Sequence, residues 1–128
     1  MPLPFMAGGV GLVSLPEPIV ANWSIITFTA PTTEGTNSDI ALNFAAGPAS
    51  RSIYAVKSGN KGTLYYRINS GSWVSYLASG TGAPFTFTAG QTVGWKFELT
   101  GPGVTNETIT VRDGLRGDII DTFTVTRV

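Results

Sequence analysis

Four large aromatic residues crowd one short segment, YYRINSGSWVSY, which runs from Tyr65 to Tyr76. Aromatic rings at this density suit a stacking platform for a sugar or a base. They equally suit the hairpin of an ordinary β-sandwich, since cross-strand aromatic pairs stabilise sheets. The sequence therefore leaves two interpretations of this segment open, a ligand-binding surface and a structural hairpin.

The alternation of apolar residues at the start of this segment predicts that part of it lies in the core. Leu64, Tyr66 and Ile68 alternate with polar or outward residues, which predicts that Tyr66 faces inward. The following Asn-Ser-Gly predicts a turn in which Gly71 adopts the positive φ. The aromatic residues left to face a partner are Tyr65, Trp73 and Tyr76.

Residue types that dominate catalysis are missing from the sequence. The chain has no histidine and no cysteine, which removes the commonest general base, thiol nucleophiles and thiolate metal ligands. The four glutamates are dispersed, so no pair for glycoside hydrolysis stands out; they are Glu17, Glu34, Glu98 and Glu107. We therefore expect a protein that is not an enzyme and has no cofactor.

One acidic segment, VRDGLRGDIID, raises the question of a calcium site. Its aspartates, Asp113, Asp118 and Asp121, lack the close spacing of a calcium loop. Asp-Gly and Gly-Asp pairs are typical of turns, and two arginines provide local ion pairs. We interpret the segment as a turn and predict no metal.

Charge argues against nucleic acid as a partner. The eight basic and eight acidic residues give a formal net charge of zero, and the basic residues are scattered. Nucleic-acid binding needs a basic patch that displaces counterions from phosphate. Charged residues make up only 12% of the chain, against roughly a quarter in typical domains, which leaves much surface free to contact partners.

The first twenty residues differ from the rest of the chain, because proline and glycine recur among apolar residues. The segment is read as an extended N-terminal arm, residues 1–20, that docks on another subunit or folds back on its own domain. Lacking basic residues, it does not resemble an export signal, and its apolar run is too short to span a membrane. Its partner-binding candidates are Leu3, Phe5, Met6, Val10, Leu12, Val13 and Leu15.

Residues 21–128 carry the signature of an all-β domain. Val93, Trp95, Phe97 and Leu99 alternate with polar residues, which is the clearest period of two in the chain. The segment SDIALNFAAG permits a short capped helix, but its alternation favours a strand. Seven to nine short strands separated by turn-forming clusters predict an antiparallel Ig-like β-sandwich.

From residue 62 onward the order of features resembles bacterial and phage immunoglobulin-like domains. The resemblance is carried by LYYRINSGSW, by FTFTAGQTV and by the final DTFTVTRV, over about half of the chain. Such domains occur in capsid decoration and tail accessory proteins of tailed bacteriophages and in bacterial surface proteins. Fold-level resemblance implies a function only by analogy.

The resemblance and the missing export signal together imply a virion structural protein. We expect it to assemble in the host cytoplasm as a homo-oligomer and to bind capsid or tail subunits through its arm. The alternative is a carbohydrate-binding module or adhesin, which would contact a host-surface glycan through its hairpin aromatics. Neither hypothesis involves nucleic acid or a membrane.

Overall fold

The computed structural model describes residues 18–29, 32–44, 50–101 and 104–128. These residues form eleven β-strands and no helix. In chain order, the strands are β1 (Ile26–Phe28), β2 (Glu34–Thr36), β3 (Ile40–Ala41), β4 (Ser50–Lys57), β5 (Gly62–Ile68), β6 (Val74–Leu77), β7 (Gly80–Thr81), β8 (Phe85–Thr88), β9 (Thr92–Leu99), β10 (Thr105–Asp113) and β11 (Ile119–Arg127).

The strands form two sheets. The larger sheet has the order β1-β11-β10-β4-β7, and β8 also pairs with β4. The smaller sheet has the order β2-β9-β5-β6, and β3 also pairs with β9. All pairs are antiparallel except β1 with β11. The predicted fold class, an antiparallel Ig-like sandwich, is confirmed; the number of strands exceeds nine because several are only two or three residues long.

Alternation of side chains places the core between the sheets. On β9, Val93, Trp95 and Phe97 are fully buried, as the period of two predicts. On β10, Ile109 and Val111 point inward in the same way, and Thr108 and Thr110 beside them point outward. In the described part of the segment SDIALNFAAG, residues 38–44, the chain forms β3 and buries Leu42, so the interpretation of this part as a strand rather than a helix is confirmed.

Rings from both sheets meet around the indole of Trp95. Trp23 lies 5.7 Å from it in an edge-to-face arrangement, and Phe123 of the larger sheet lies 6.4 Å away. Tyr66 of β5 stacks at 3.8 Å on Phe85 of β8, which joins the two sheets directly. Burial of such large rings is the main favourable term for this fold.

The start of the described domain includes part of the predicted arm. Ile19 is buried in the core, and Val20 forms a bridge with Asn43. The seven apolar candidates of the arm, Leu3 to Leu15, lie outside the described residues, so the arm and its docking remain predictions.

Replacing Phe97 with alanine should lower the free energy of unfolding by about 3–5 kcal/mol, since the ring is fully buried and a cavity would remain. Urea denaturation of both proteins measures the difference. The control is Thr124→Ala on the outer side of the larger sheet, which should change stability by about 0.5 kcal/mol or less. A loss below about 1 kcal/mol for Phe97→Ala would contradict a close-packed core.

Candidate functional site

The outer side of the smaller sheet carries a band of aromatic and charged side chains, which we call the aromatic face. It exists because side chains on a strand alternate, so the residues between the buried positions of β5 and β9 all point outward. The register places Lys96 beside Tyr65 on one side and Thr36 on the other. The members of the aromatic face are Glu34, Thr36, Asp39, Tyr65, Arg67, Trp73, Lys96 and Glu98.

Two cations lie over two aromatic rings on this face. The Arg67 guanidinium is 4.3 Å from the centre of the Trp73 ring. The Lys96 ammonium is 4.6 Å from the Tyr65 ring and 5.6 Å from the Trp73 ring. Each contact contributes roughly 0.5–1 kcal/mol at a partly exposed site and restricts the rotamers of both partners.

The same cations are also paired with carboxylates. Arg67 donates to both oxygens of Asp39, from Nε at 3.1 Å and from Nη2 at 2.8 Å. Lys96 lies 3.2 Å from Glu98, whose other oxygen accepts a hydrogen bond from the Tyr65 hydroxyl at 3.0 Å. The result is a continuous row from Asp39 through the two rings to Glu98, in which each side chain is held by two neighbours.

A glycine makes room for the pair at one end of the row. Gly94 lies opposite Arg67 on the neighbouring strand, where any other residue would place a Cβ on the outer side. A Cβ at Gly94 would overlap a carboxylate oxygen of Asp39. Glycine therefore lets Arg67 and Asp39 lie flat across the sheet, and the row depends on a residue that carries no side chain.

The turn between β5 and β6 is tied to this row. Asn69 and Ser70 both have positive φ, of 54° and 57°, and the amide of Gly71 donates to the carbonyl of Ile68. The prediction that Gly71 supplies the positive φ is therefore wrong, because the turn is shifted one residue earlier. Ser70 tolerates this conformation with its hydroxyl bonded to Asp39 at 2.9 Å.

The electrostatics of the row follow from these contacts. The hydrogen bond from Arg67 holds the pKa of Asp39 below its ordinary value, and the same bond raises the pKa of Arg67. The hydrogen bond from Lys96 lowers the pKa of Glu98, and the bond to Glu98 raises the pKa of Tyr65. The shifts of Asp39, Arg67 and Glu98 favour their charged forms, and the shift of Tyr65 favours the neutral hydroxyl that donates to Glu98.

The structure separates the three aromatic residues that the sequence predicted as surface candidates. Tyr65 and Trp73 lie on the aromatic face, half-buried by their cations. Tyr76 does not join them, because its ring lies between the sheets, 5.3 Å from Phe85. Its hydroxyl accepts a hydrogen bond from the amide of Ala55 and donates to the carbonyl of Ala83.

A β-bulge accounts for the position of Tyr76. In the pairing of β5 with β6, Leu64 lies opposite Leu77 and Tyr65 lies opposite Ser75, so Tyr76 is the additional residue. The extra residue shifts the alternation and turns both Tyr76 and Leu77 toward the core. Nothing in the period of the sequence signals this shift.

The acidic candidates do not form a metal or catalytic cluster. Asp113 is buried against Arg51, Asp118 pairs with Arg116, and Asp121 accepts from the amide of Trp23. No group of three or more potential ligands for a metal occurs among the residues that the structure describes. Glu34 and Glu98 are cross-strand neighbours, but they lie on the open aromatic face and not in a cleft.

Two shallow grooves lie elsewhere on the described surface. One, of about 270 Å³, includes Ser50, Thr86 and Leu115 in its wall, and the other, of about 450 Å³, includes Ser58, Asn60 and Ser79. Small hydroxyl and glycine residues dominate both walls. Neither contains the convergent polar groups and apolar walls of a small-molecule site.

No protein-family model matches the sequence, and no curated protein matches it. Solved structures do resemble the fold. A lipoprotein from Bacteroides thetaiotaomicron gives a TM-score of 0.54 at 11% identity, covering 89% of this chain and 82% of that one. A conjugative transposon lipoprotein from Bacteroides eggerthii gives 0.49 at 10% identity, covering 85% and 93%, and a conjugate transposon protein from Bacteroides vulgatus gives 0.49 at 9%, covering 89% and 86%.

These comparisons overturn the prediction of a virion protein assembled in a phage host. The structure with a TM-score above 0.5 is that of a lipoprotein from Bacteroides thetaiotaomicron, not of a capsid or tail protein. The sequence resemblance misled because a hydrophobic pattern with turns identifies a sandwich, and sandwiches serve many unrelated functions. None of the described residues forms a helix long and apolar enough to cross a lipid bilayer.

Replacing Asp39 with asparagine should lower the free energy of unfolding by about 1 kcal/mol at pH 7, as the partly buried pair with Arg67 is lost. Because folding lowers the pKa of Asp39, its carboxylate stabilises the fold above the unfolded pKa of about 3.9. The stabilisation disappears as the pH falls through the lower pKa of the folded state. The difference between the two proteins should therefore shrink in acid.

Urea denaturation between pH 7 and about pH 3 measures this dependence. Asp118→Asn is the matched control, because that carboxylate is 51% exposed in its pair with Arg116 and its removal should cost less than about 0.5 kcal/mol. A loss for Asp39→Asn that stays the same at every pH would contradict the proposed role of its charge.

Proposed function

We propose that this chain is a non-catalytic binding module of a bacterial cell-envelope protein, and that it holds a protein partner on the aromatic face. The single observation that carries the proposal is the row in which Trp73, Tyr65 and Arg67 are held in fixed orientations on an open sheet surface. Tryptophan, tyrosine and arginine are the residues most enriched among those that dominate binding energy at protein interfaces.

The shape of the surface supports a protein more than a small ligand. A flat sheet can contact another folded surface over the large area that protein complexes bury, whereas small ligands need a concave pocket. A sugar platform needs open ring planes, but Arg67 lies over the Trp73 ring and Tyr76 points into the core. The row therefore fits a partner that contacts ring edges and charges together.

The fixed orientation of the row matters for affinity. Side chains that are already held by neighbours lose less conformational entropy on binding than free ones do. Lys96 and Arg67 each contact both a ring and a carboxylate, so the face is ordered before any partner arrives. Alternating charges along the row would also select a partner with the complementary order.

The non-catalytic part of the proposal rests on the state of the carboxylates. A general acid for glycoside hydrolysis needs a raised pKa. Glu98, which has Glu34 as its cross-strand neighbour, instead has a lowered pKa because Lys96 donates to it. We propose the envelope location because this chain shares its fold with the lipoprotein of Bacteroides thetaiotaomicron. For the same reason we propose that the chain is one of the Ig-like modules of bacterial surface proteins.

Site-specific photo-crosslinking in the producing cells tests the proposal. A photoreactive amino acid at Thr36, an exposed position on the aromatic face, should give a discrete protein adduct. The matched control is the same amino acid at Thr108, exposed on the outer side of the larger sheet, which should give none. Adding Trp73→Ala should reduce the adduct at least tenfold, since a central interface residue contributes about 2 kcal/mol or more.

The folded state of each variant is checked by circular dichroism before the cells are irradiated. An adduct from Thr108 and not from Thr36 would overturn the proposed surface. An adduct from Thr36 that persists unchanged in the Trp73→Ala protein would show that the row of rings and cations does not hold the partner.

A further inference from the structure

The edge strand β6 lacks the charges and prolines that often keep sheet edges apart. Residues 68–91 contain no lysine, arginine, aspartate or glutamate, and no proline occurs within β6 itself. Natural sheets commonly protect an exposed edge with charges, proline or a covering segment, because its free N–H and C=O groups pair readily with another strand. Among the described residues, β6 pairs with β5 on one side and with no strand on the other.

An apolar side chain at this edge is also left partly uncovered. Val74 lies opposite Tyr66, which points into the core, so Val74 points to the same inner side. Yet 44% of Val74 is exposed. A further strand beside β6 would cover this side chain and pair the free backbone groups at the same time.

We propose that β6 pairs antiparallel with β6 of a second copy of this chain, about a two-fold axis that passes beside Val74. In this register Val74 lies opposite its own equivalent, and Trp73 lies opposite the second copy's Ser75. Residues directly opposite each other in an antiparallel pair point to the same side of the sheet. Both Val74 side chains would therefore lie on the inner side, and Trp73 and Ser75 would lie on the outer side.

The chemistry of the edge suits a second copy. The pairing is isologous, so β6 of each copy contributes the same residues and each contact occurs twice. Like charges that meet across a two-fold axis oppose such pairing, and this segment has none. The zero net charge of the chain adds no long-range repulsion between copies.

The bulge limits which residues take part. It falls between Leu64 and Tyr65 on the β5 side, so the regular part of β6 is Val74 and Ser75, and Trp73 lies immediately before the strand. Pairing over this part would join the two smaller sheets, each of five strands, into one sheet of ten strands with the two β6 strands at its centre. The two aromatic faces would then form one continuous surface with Trp73 near its centre.

The dimer goes beyond the proposed function and does not rest on it. Val74 points to the inner side of the sheet, away from the aromatic face, so a change there need not disturb the row of rings and cations. Loss of the dimer with the Thr36 adduct retained would separate the two proposals, and so would loss of the adduct with the dimer retained.

Sedimentation velocity of the full chain over a range of concentrations tests the dimer. The protein should sediment with twice its chain mass of 13.5 kDa at high concentration. Val74→Lys should raise the dissociation constant at least tenfold, since it places two like charges face to face. The matched control, Thr27→Lys on the edge strand of the larger sheet, should leave the dimer intact.

Cysteine crosslinking provides a second test, which remains valid even if the Val74→Lys protein folds poorly. The chain has no cysteine, so Val74→Cys introduces a unique thiol. Opposed residues in an antiparallel pair have Cα atoms roughly 4.5–5.5 Å apart, within the range of a disulfide. With diamide as the oxidant that accepts the two thiol hydrogens, Val74→Cys should form a disulfide-linked dimer much faster than Thr27→Cys.

Two results would overturn the proposal. One is a protein that remains a monomer at every concentration. The other is a Val74→Cys protein that crosslinks no faster than the Thr27→Cys protein.

Discussion

Packing of aromatic rings between the two sheets is the interaction on which the rest of the structure depends. Trp95 lies at its centre, fully buried on the middle strand β9, with Trp23 and Phe123 against it. Because strand side chains alternate, fixing Trp95 inward fixes Lys96 and Glu98 outward. The aromatic face is thus a geometric consequence of the core, and a one-residue slip of β9 would remove both.

Buried ion pairs form a second constraint at the margins of the core. Arg51 pairs with Asp113 and Lys57 lies 3.3 Å from Glu107, with all four side chains almost fully buried. Burial lowers the pKa of Lys57, which is offset in part by Glu107. Such pairs add little net stability compared with apolar residues, but losing one partner leaves a buried charge at a cost of about 3–5 kcal/mol. Both pairs join strand β4 to strand β10 in their observed register.

The sequence predicted the features that depend on local period and missed those that depend on contacts between distant segments. The alternation of β9 and the inward Tyr66 followed from neighbouring residues, since their period is local. Tyr76 does not point outward, because a β-bulge shifts the alternation of side chains. The pairing of Arg67 with Asp39 was not predicted, because the two residues are 28 positions apart in the sequence. Alternation alone also cannot show that Arg51 or Lys57 points inward, since charged residues usually stay outside.

We propose that the aromatic face is the surface that a partner covers in the cell. Hydroxyl-radical footprinting read by mass spectrometry tests it most directly, with the chain labelled once in the intact cell envelope and once after purification. We predict that Trp73 and Tyr65 are labelled strongly in the purified protein and weakly in the envelope. Tyr54, half-buried on the outer side of the larger sheet, should be labelled equally in both. Equal labelling of Trp73 and Tyr65 in the two states, or protection of Tyr54 alone, would contradict the claim.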